Sequence, residues 1–136
     1  MYCDWIRTTS YDLPIPFSAT LGVPLADGQT ITILGKVPDG AKRSEINLLN
    51  GGTDMDAGAK AVLHMSFRYP EATLVLNSNF DGKWGSEDRV PIPFTPGQEF
   101  DLKLKVHSDR FQILVNGVDV HDWAHRVNHS EVQAMQ

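Results

Sequence analysis

Apolar and polar residues alternate along several stretches of this chain, a pattern typical of β-strands with one buried face. The clearest case is 100–107, FDLKLKVH, in which every second residue is apolar up to Val106. A second alternating run covers 111–115, and Asn116 and Gly117 then supply a dipeptide that favours a tight hairpin turn. The pattern therefore predicts two strands of a hairpin, with the returning strand beginning at Val118.

Further short β-prone segments precede this hairpin and are separated by turn-rich pieces. They cover 30–34, 45–49, 61–68 and 73–77. No window of about a dozen residues shows helical periodicity free of glycine or proline. Many short strands at regular spacing predict an all-β fold, an antiparallel sandwich or barrel, and no linker or repeat divides the chain, so we expect a single domain over 1–136.

Composition and charge exclude several function classes. The 136 residues carry a net charge of -5, with Lys and Arg scattered, which argues against nucleic-acid binding. No apolar run approaches the roughly 20 residues that a membrane span requires, so we expect no membrane insertion. Acidic clusters with the spacing of a calcium loop are also absent from the sequence, and we expect no cofactor.

Cys3 is the only cysteine, so no internal disulfide can form. The start Met1–Trp5 lacks the basic residues and apolar segment of a secretory signal. We expect a cytoplasmic protein, with export by a route that needs no signal peptide as the alternative.

Polar residues gather on one predicted strand face. His64, Ser66 and Arg68 are two apart and should project together, whereas Met65 and Phe67 point to the other side. If the next strand pairs with this one as a hairpin, its polar residue Asn77 joins the same face while Leu74 and Leu76 join the core.

In the stretch GKWGSEDR, Trp84 lies between two glycines, and four polar or charged residues follow. A tryptophan of the core usually has apolar neighbours. Glu87 and Arg89 share one strand face, and we expect Gly85 to permit a bulge that brings Trp84 round to it. The face would then combine a flat aromatic with an imidazole, guanidinium groups, an amide, a hydroxyl and a carboxylate. Planar polar groups suit sugar hydroxyls, and an exposed indole suits the C–H face of a pyranose.

These residues resemble the galectins, the family of β-galactoside-binding lectins. The family's strand motif His-x-Asn-Pro-Arg corresponds to HMSFR at 64–68, an Asn on the following strand to Asn77, and Trp-Gly-x-Glu-x-Arg to WGSEDR at 84–89. The segments 11–16 and 92–98 are also similar to the family, so that the resemblance covers nearly the whole chain.

The resemblance implies a β-sandwich of two antiparallel sheets, a galectin-like jelly roll, that binds β-galactosides of the lactose or N-acetyllactosamine type on its concave sheet. His64 and Arg68 would bind the axial 4-hydroxyl of galactose, and Trp84 would stack on the sugar. Asn77 and Glu87 would take the 6-hydroxyl, and Glu87 and Arg89 would reach the neighbouring sugar. The implied carbohydrate-binding set is His64, Ser66, Arg68, Asn77, Trp84, Glu87 and Arg89.

The sequence departs from the family pattern in four places. Ser66 replaces an asparagine and should weaken or alter selectivity, and Phe67 replaces a proline and should relax the strand. The loop at 69–72 is short, which should change contacts beyond a disaccharide. After the His-Arg segment that contains Arg126, we see no clear last strand, and we expect either its absence, which would expose an edge for a homodimer, or a different edge pairing.

Three other functions remain to be weighed. A glycosidase would need a second, protonated carboxyl group, whereas Glu87 lies among arginines and Asp88 faces the other side of its strand, so a binding protein is favoured over an enzyme. A galectin-like module that binds proteins, with weak sugar affinity because of Ser66, is the alternative. Three histidines recur every four residues, at 121, 125 and 129, a spacing that would align them for a metal ion on a helix. The sequence predicts a strand at the start of this segment, which argues against a metal site.

Overall fold

The computed structural model describes residues 2–5, 8–10 and 18–136. The segment 11–16, similar in sequence to the family, lies outside the described residues, as do the side chains of Cys3 and Trp5.

The described part of the chain is built from short strands. In order they are β1 Tyr2–Trp5, β2 Thr8–Ser10, β3 Ala19–Thr20, β4 Thr30–Lys36, β5 Arg43–Asn50, β6 Lys60–Arg68, β7 Thr73–Asn79, β8 Asp88–Pro91, β9 Glu99–Val106, β10 Arg110–Val115, β11 Val118–Ala124 and β12 Ala134–Met135. Short 3-10 helices occupy Met55–Ala57 and His129–Glu131. No helix among these residues is long and apolar enough to cross a membrane.

The strands form two antiparallel sheets. The first sheet has the order β11-β10-β9-β4-β1-β2, and the second has the order β3-β12-β5-β6-β7-β8. The prediction of an all-β, antiparallel, two-sheet fold is therefore confirmed.

The core lies between the two sheets and follows the predicted alternation. Leu102 and Leu104 of β9 and Met65 of β6 are completely buried, and so are the paired positions Leu74 and Leu76 of β7. Each fully buried side chain of this kind stabilises the fold by about 1.5–3 kcal/mol. The same alternation sends the intervening polar residues of β6 and β7 to the outer face of the second sheet.

Phe67, which stands where the family has a proline, has a packing role. Its ring is buried and lies 5.8 Å from the ring of Phe94 in the core. β6 continues through it in regular pairing, with Phe67 opposite Ser44 on one side and Leu74 on the other. The expectation of a relaxed strand is wrong, because an aromatic ring at this inward position anchors the strand.

The predicted hairpin turn is confirmed. Asn116 and Gly117 have φ angles of 51° and 79°, the left-handed values that a two-residue turn of this kind requires. β10 and β11 then pair antiparallel on either side of the turn.

The expectation that the last strand is missing is wrong. Ala134 and Met135 form β12, which pairs with Leu48 and Leu49 of β5 on one side and with β3 on the other. The edge of β5 is thereby covered, so the argument for a homodimer through an uncovered edge at this position no longer applies.

Candidate functional site

Mostly polar side chains of β5, β6, β7 and β8 lie in rows across the outer face of the second sheet. The strand register places Asn47, His64 and Asn77 in one row, with Glu45, Ser66, Val75 and Arg89 in the next. Arg43, Arg68 and Thr73 form a third row. We call this surface the polar face. The predicted hairpin of β6 and β7 is present, and it brings His64, Ser66, Arg68 and Asn77 together.

His64 is held by a residue that sequence reasoning missed. Its Nδ1 lies 2.5 Å from Oδ1 of Asn47, the neighbour on β5. Since an amide oxygen only accepts, Nδ1 carries the hydrogen, and Nε2 of the neutral ring is left as an acceptor. Burial lowers the pKa of His64 below 6.5, with a further lowering by Arg43 and Arg68 and opposing effects of Glu45 and Glu87.

Trp84 is half exposed, at 49 %, beside this histidine. The two ring centroids are 5.0 Å apart and the planes are tilted by 59°. A single antiparallel bridge to Asn79 ties Trp84 to the end of β7. An indole that is anchored by its backbone but leaves half of its surface in water can serve as a stacking platform for an apolar ligand face.

Gly85 lies where the register between this turn and β7 changes. The positive φ in this turn belongs to Gly82, at 78°, and not to Gly85. A Cβ at position 85 would lie 2.7 Å from Nη1 of Arg126 and 3.3 Å from Oδ1 of Asn77. Between the Asn79–Trp84 bridge and the Leu76–Asp88 pair, this segment has one residue more than β7, which agrees with the expected bulge. Two side chains also pack against the Cα of Gly85.

Charged side chains form a chain of ion pairs along one side of the polar face. Glu87 lies 3.9 Å from Arg68 and 3.1 Å from Arg89, and Arg89 lies 3.7 Å from Glu71. All four side chains are partly exposed, so these pairs add little to stability. Their effect is to fix the direction in which each donor and acceptor points.

Two polar atoms beneath this network have no partner. Oγ of Ser66 and Nε of Arg68 are buried without a hydrogen bond among the described residues, and Ser66 is only 1 % exposed. Ser66 thus lies at the floor of the polar face, below the charged side chains. Buried polar atoms without partners are uncommon in folded proteins and call for an explanation.

Asn77 is 5 % exposed, and its amide is largely engaged within the protein. Its Nδ2 donates to the carbonyl of Gly85 over 2.9 Å, while its Oδ1 accepts from the backbone N–H of Ser78 and from Arg126. One Nδ2 hydrogen has no acceptor among these contacts. Asn77 therefore holds the turn of Trp84 and can offer a single donor to a ligand.

Asn47 and Arg126 were both missed as site residues by sequence reasoning. The sequence pattern could have indicated Asn47, because it is a polar residue between Ile46 and Leu48 on the same predicted strand as Glu45. Arg126 had none, because it lies beyond the end of β11 in the chain and meets Asn77 only through the folding of the two sheets against each other.

The three histidines near the end of the chain lie apart from this face. His121 pairs with Asp88 over 2.9 Å between the two sheets, and His129 pairs with Asp27 over 2.9 Å. Among the described residues no group of three or more potential metal-ligating side chains comes together. Trp123 of β11 is a core residue, at 2 % exposure.

Comparisons with known proteins give one consistent family. Residues 16–136 match the model of the galactoside-binding lectins. A 32 kDa β-galactoside-binding lectin of Haemonchus contortus is 32% identical over 127 residues, which are 93% of this chain and 44% of that protein. Human galectin-7 is 32% identical over 123 residues, 90% of this chain and 88% of the relative.

Solved structures agree with these relatives on the fold. A variant of human galectin-16 superimposes with a TM-score of 0.79 and 24% identity, covering 91% of this chain and 87% of that one. The chain spans less than half the length of the Haemonchus relative, so it corresponds to one part of that longer protein.

Proposed function

This chain belongs to the galactoside-binding lectin family, the galectins, whose members are non-catalytic lectins, and we propose that it binds β-galactosides of the lactose or N-acetyllactosamine type on its polar face. The site would comprise His64, Ser66, Arg68, Asn77, Trp84, Glu87 and Arg89, with Asn47 as a further member. The observation that carries the proposal is the half-exposed Trp84 beside the fixed acceptor of His64.

The donors and acceptors of the polar face fit an axial hydroxyl group. Nε2 of His64 would accept from the 4-hydroxyl of galactose, and the guanidinium of Arg68 would donate to the same oxygen. In a sugar with an equatorial 4-hydroxyl, both groups would be left without partners, which is costly in a partly buried site. This supports a preference for galactose over glucose.

The charge balance of the polar face supports a neutral ligand. Arg43, Arg68 and Arg89 are matched by Glu45, Glu71 and Glu87, and ion pairs already connect most of these groups. Glu87 in particular lies between two arginines and offers its carboxylate oxygens as acceptors. It would take the 6-hydroxyl and reach the neighbouring glucose or N-acetylglucosamine.

A second function is favoured by the position of Ser66. Its hydroxyl lies at the floor of the face and is closed to solvent, so it offers a ligand less than an exposed amide would. A domain with this substitution would bind sugar weakly and act through protein contacts. The two proposals predict different results for lactose: the first predicts that the protein binds it, and the second predicts weak binding or none.

Calorimetric titration with lactose and with cellobiose tests the first proposal. The two disaccharides differ only in the configuration of the terminal 4-hydroxyl, so cellobiose is a matched control for the contacts of His64 and Arg68. We expect lactose to bind and cellobiose to bind at least about tenfold more weakly, since one lost polar contact of this kind is worth about 1.4 kcal/mol or more.

Trp84→Ala should abolish retention on immobilised lactose without changing the far-UV spectrum of the folded protein. Equal binding of the two sugars, or full retention of the Trp84→Ala variant, would contradict the proposed site. Absence of lactose binding in the unmodified protein would favour the protein-interaction module, and turnover of a chromogenic galactoside would instead indicate an enzyme.

A further inference from the structure

Arg126 links the first sheet to the polar face of the second. It follows β11 by two residues, and its guanidinium lies 4.2 Å from the ring centroid of the buried Trp123. From that platform Nη2 donates to the carbonyl of Ser86 over 2.6 Å. Nη1 donates to Oδ1 of Asn77 over 3.2 Å and lies 3.4 Å from Oγ of Ser78.

These contacts connect the two segments that set the position of Trp84. Ser86 belongs to the turn between β7 and β8, and Asn77 belongs to β7 itself. Asn77 in turn donates to the carbonyl of Gly85, the residue that follows Trp84. A single planar guanidinium therefore clamps the strand and the turn together beside Gly85, the residue that follows Trp84.

Gly85 shows how closely this clamp fits. A Cβ at that position would approach Nη1 of Arg126 to 2.7 Å, a separation that real Cβ contacts essentially never show. Because Gly85 has no positive φ, its backbone conformation does not itself favour glycine, whereas a side chain there would push the Arg126 guanidinium away from its contacts. The turn and Arg126 thus occupy one packed arrangement.

We propose that Arg126 is a positioning residue of the site: it fixes the orientation of Trp84 by holding the turn against Asn77. The effect of Arg126 on sugar affinity rests on the proposed function. A stacking platform held in place before binding lowers the entropic cost of binding. Arginine suits the task, since its rigid fork can donate to two segments at once, whereas lysine offers a point charge.

Arg126→Gln and Arg126→Lys test the inference, with Arg110→Gln as the matched control. Arg110 begins β10 of the first sheet, and its ion-pair partners among the described residues are the exposed carboxylates of Asp109 and Asp122. Two quantities are measured: the lactose Kd, and the indole N–H resonance of Trp84 in the ligand-free protein, assigned with Trp84→Phe.

We expect Arg126→Gln to raise the lactose Kd about tenfold and to shift or broaden the Trp84 resonance, because two charge-assisted hydrogen bonds to the site are lost. Arg126→Lys should give an intermediate effect on both. Arg110→Gln should leave both unchanged. An unaltered Kd or an unaltered Trp84 resonance in folded Arg126→Gln overturns the inference.

Gly85→Ala supplies an independent variant through a double-mutant cycle. In the unmodified protein we expect it to shift the Trp84 resonance and to raise the Kd about tenfold, because the new methyl group displaces Arg126. In the Arg126→Ala background the methyl group has room, and its additional effect should fall to about threefold or less. If Gly85→Ala has the same effect in the unmodified protein and in the Arg126→Ala variant, Arg126 does not hold the turn.

Failure of the proposed function is distinguishable from failure of this inference. If the unmodified protein does not bind lactose, the Kd comparison fails for all variants alike, and the proposed function is wrong. The Trp84 resonance of the ligand-free variants still decides whether Arg126 orients the indole: a change confined to the Arg126 and Gly85 variants supports the inference, and no change refutes it.

Discussion

Nδ1 of His64 donates a hydrogen bond to Oδ1 of Asn47, its direct neighbour across the β5–β6 ladder, over 2.5 Å. This contact decides which nitrogen of the imidazole faces outward as an acceptor. The orientation of the ring therefore depends on a strand that contributes no residue to the motif at 64–68.

Asn47→Ala should weaken lactose binding about tenfold. The substitution leaves Nδ1–H without its acceptor and frees the ring to rotate or to change tautomer, at a cost of about 1–3 kcal/mol for an unsatisfied buried group. Calorimetric titration gives the affinity. Asn50→Ala is the matched control, because Asn50 lies on the same strand but donates to Glu131. Equal affinities for the two variants would show that Asn47 does not orient His64.

Lactose binding should weaken as the pH falls through the lowered pKa of His64. The folded-state pKa of His64 lies below the ordinary 6.5, with burial as the main cause; Arg43 and Arg68 lower it further, and Glu45 and Glu87 act in the opposite direction. Above that pKa the ring is neutral and Nε2 accepts. As the pH falls through it, the ring gains a proton, the acceptor is lost and Kd rises.

The same shift makes the fold less stable in acid. Because the unfolded chain takes up the His64 proton near pH 6.5 and the folded chain only below that, the free energy of unfolding falls as the pH drops from 6.5 to the lowered pKa. Titrations from about pH 7.5 to about pH 5 measure both effects while free carboxyl groups, which titrate near pH 4, stay ionised.

Asn47→Asp provides the matched comparison for the pH series. A carboxylate at this position keeps an acceptor for Nδ1–H and raises the pKa of the imidazole by its charge. The loss of lactose affinity should then begin at a higher pH than in the unmodified protein. An affinity that is independent of pH in both proteins would show that His64 does not act as an acceptor.

Ser66→Ala should leave the fold as stable as before or stabilise it by up to about 1 kcal/mol. Its Oγ is buried without a partner among the described residues, so removing it removes a desolvated polar group and no hydrogen bond. Thermal unfolding measures the stability. If the hydroxyl contacts sugar directly, lactose affinity falls in the same variant; unchanged affinity would place Ser66 outside the contact set.

Much of this arrangement follows from local sequence pattern. The alternation over 100–107 fixes which residues of β9 enter the core, and the turn at Asn116 and Gly117 needs only the two residues that form it. The grouping of His64, Ser66 and Arg68 follows from the two-residue period of a strand. Trp84 lies beside His64, on the face to which the sequence predicts that a bulge at Gly85 brings it.

The parts that could not be predicted depend on contacts between distant segments. β12 has only two residues, too few for a periodic signal, and it exists because Ala134 and Met135 pair with strands more than 80 residues earlier. The role of Gly85 depends on Arg126, 41 positions further along the chain by sequence number. Neither relationship leaves a local mark in the sequence.

Glu87→Gln should weaken lactose binding about tenfold while changing the free energy of unfolding by less than about 1 kcal/mol. The carboxylate lies between Arg68 and Arg89 and directs both guanidinium groups, whereas its partly exposed ion pairs contribute little to stability. A neutral amide keeps the shape but loses the charge that orders the two arginines, and it also replaces one acceptor of the proposed site by a donor.

Glu71→Gln is the control for this last substitution, because Glu71 contacts Arg89 at 3.7 Å at the outer end of the same chain of ion pairs. It should change the lactose Kd by less than about twofold. Calorimetry on the two variants, with thermal unfolding alongside, separates binding from stability. If both variants lose the same lactose affinity, the loss is caused by the change in net charge of the polar face. If only Glu87→Gln loses affinity, lactose binding requires a carboxylate at the position between the two arginines.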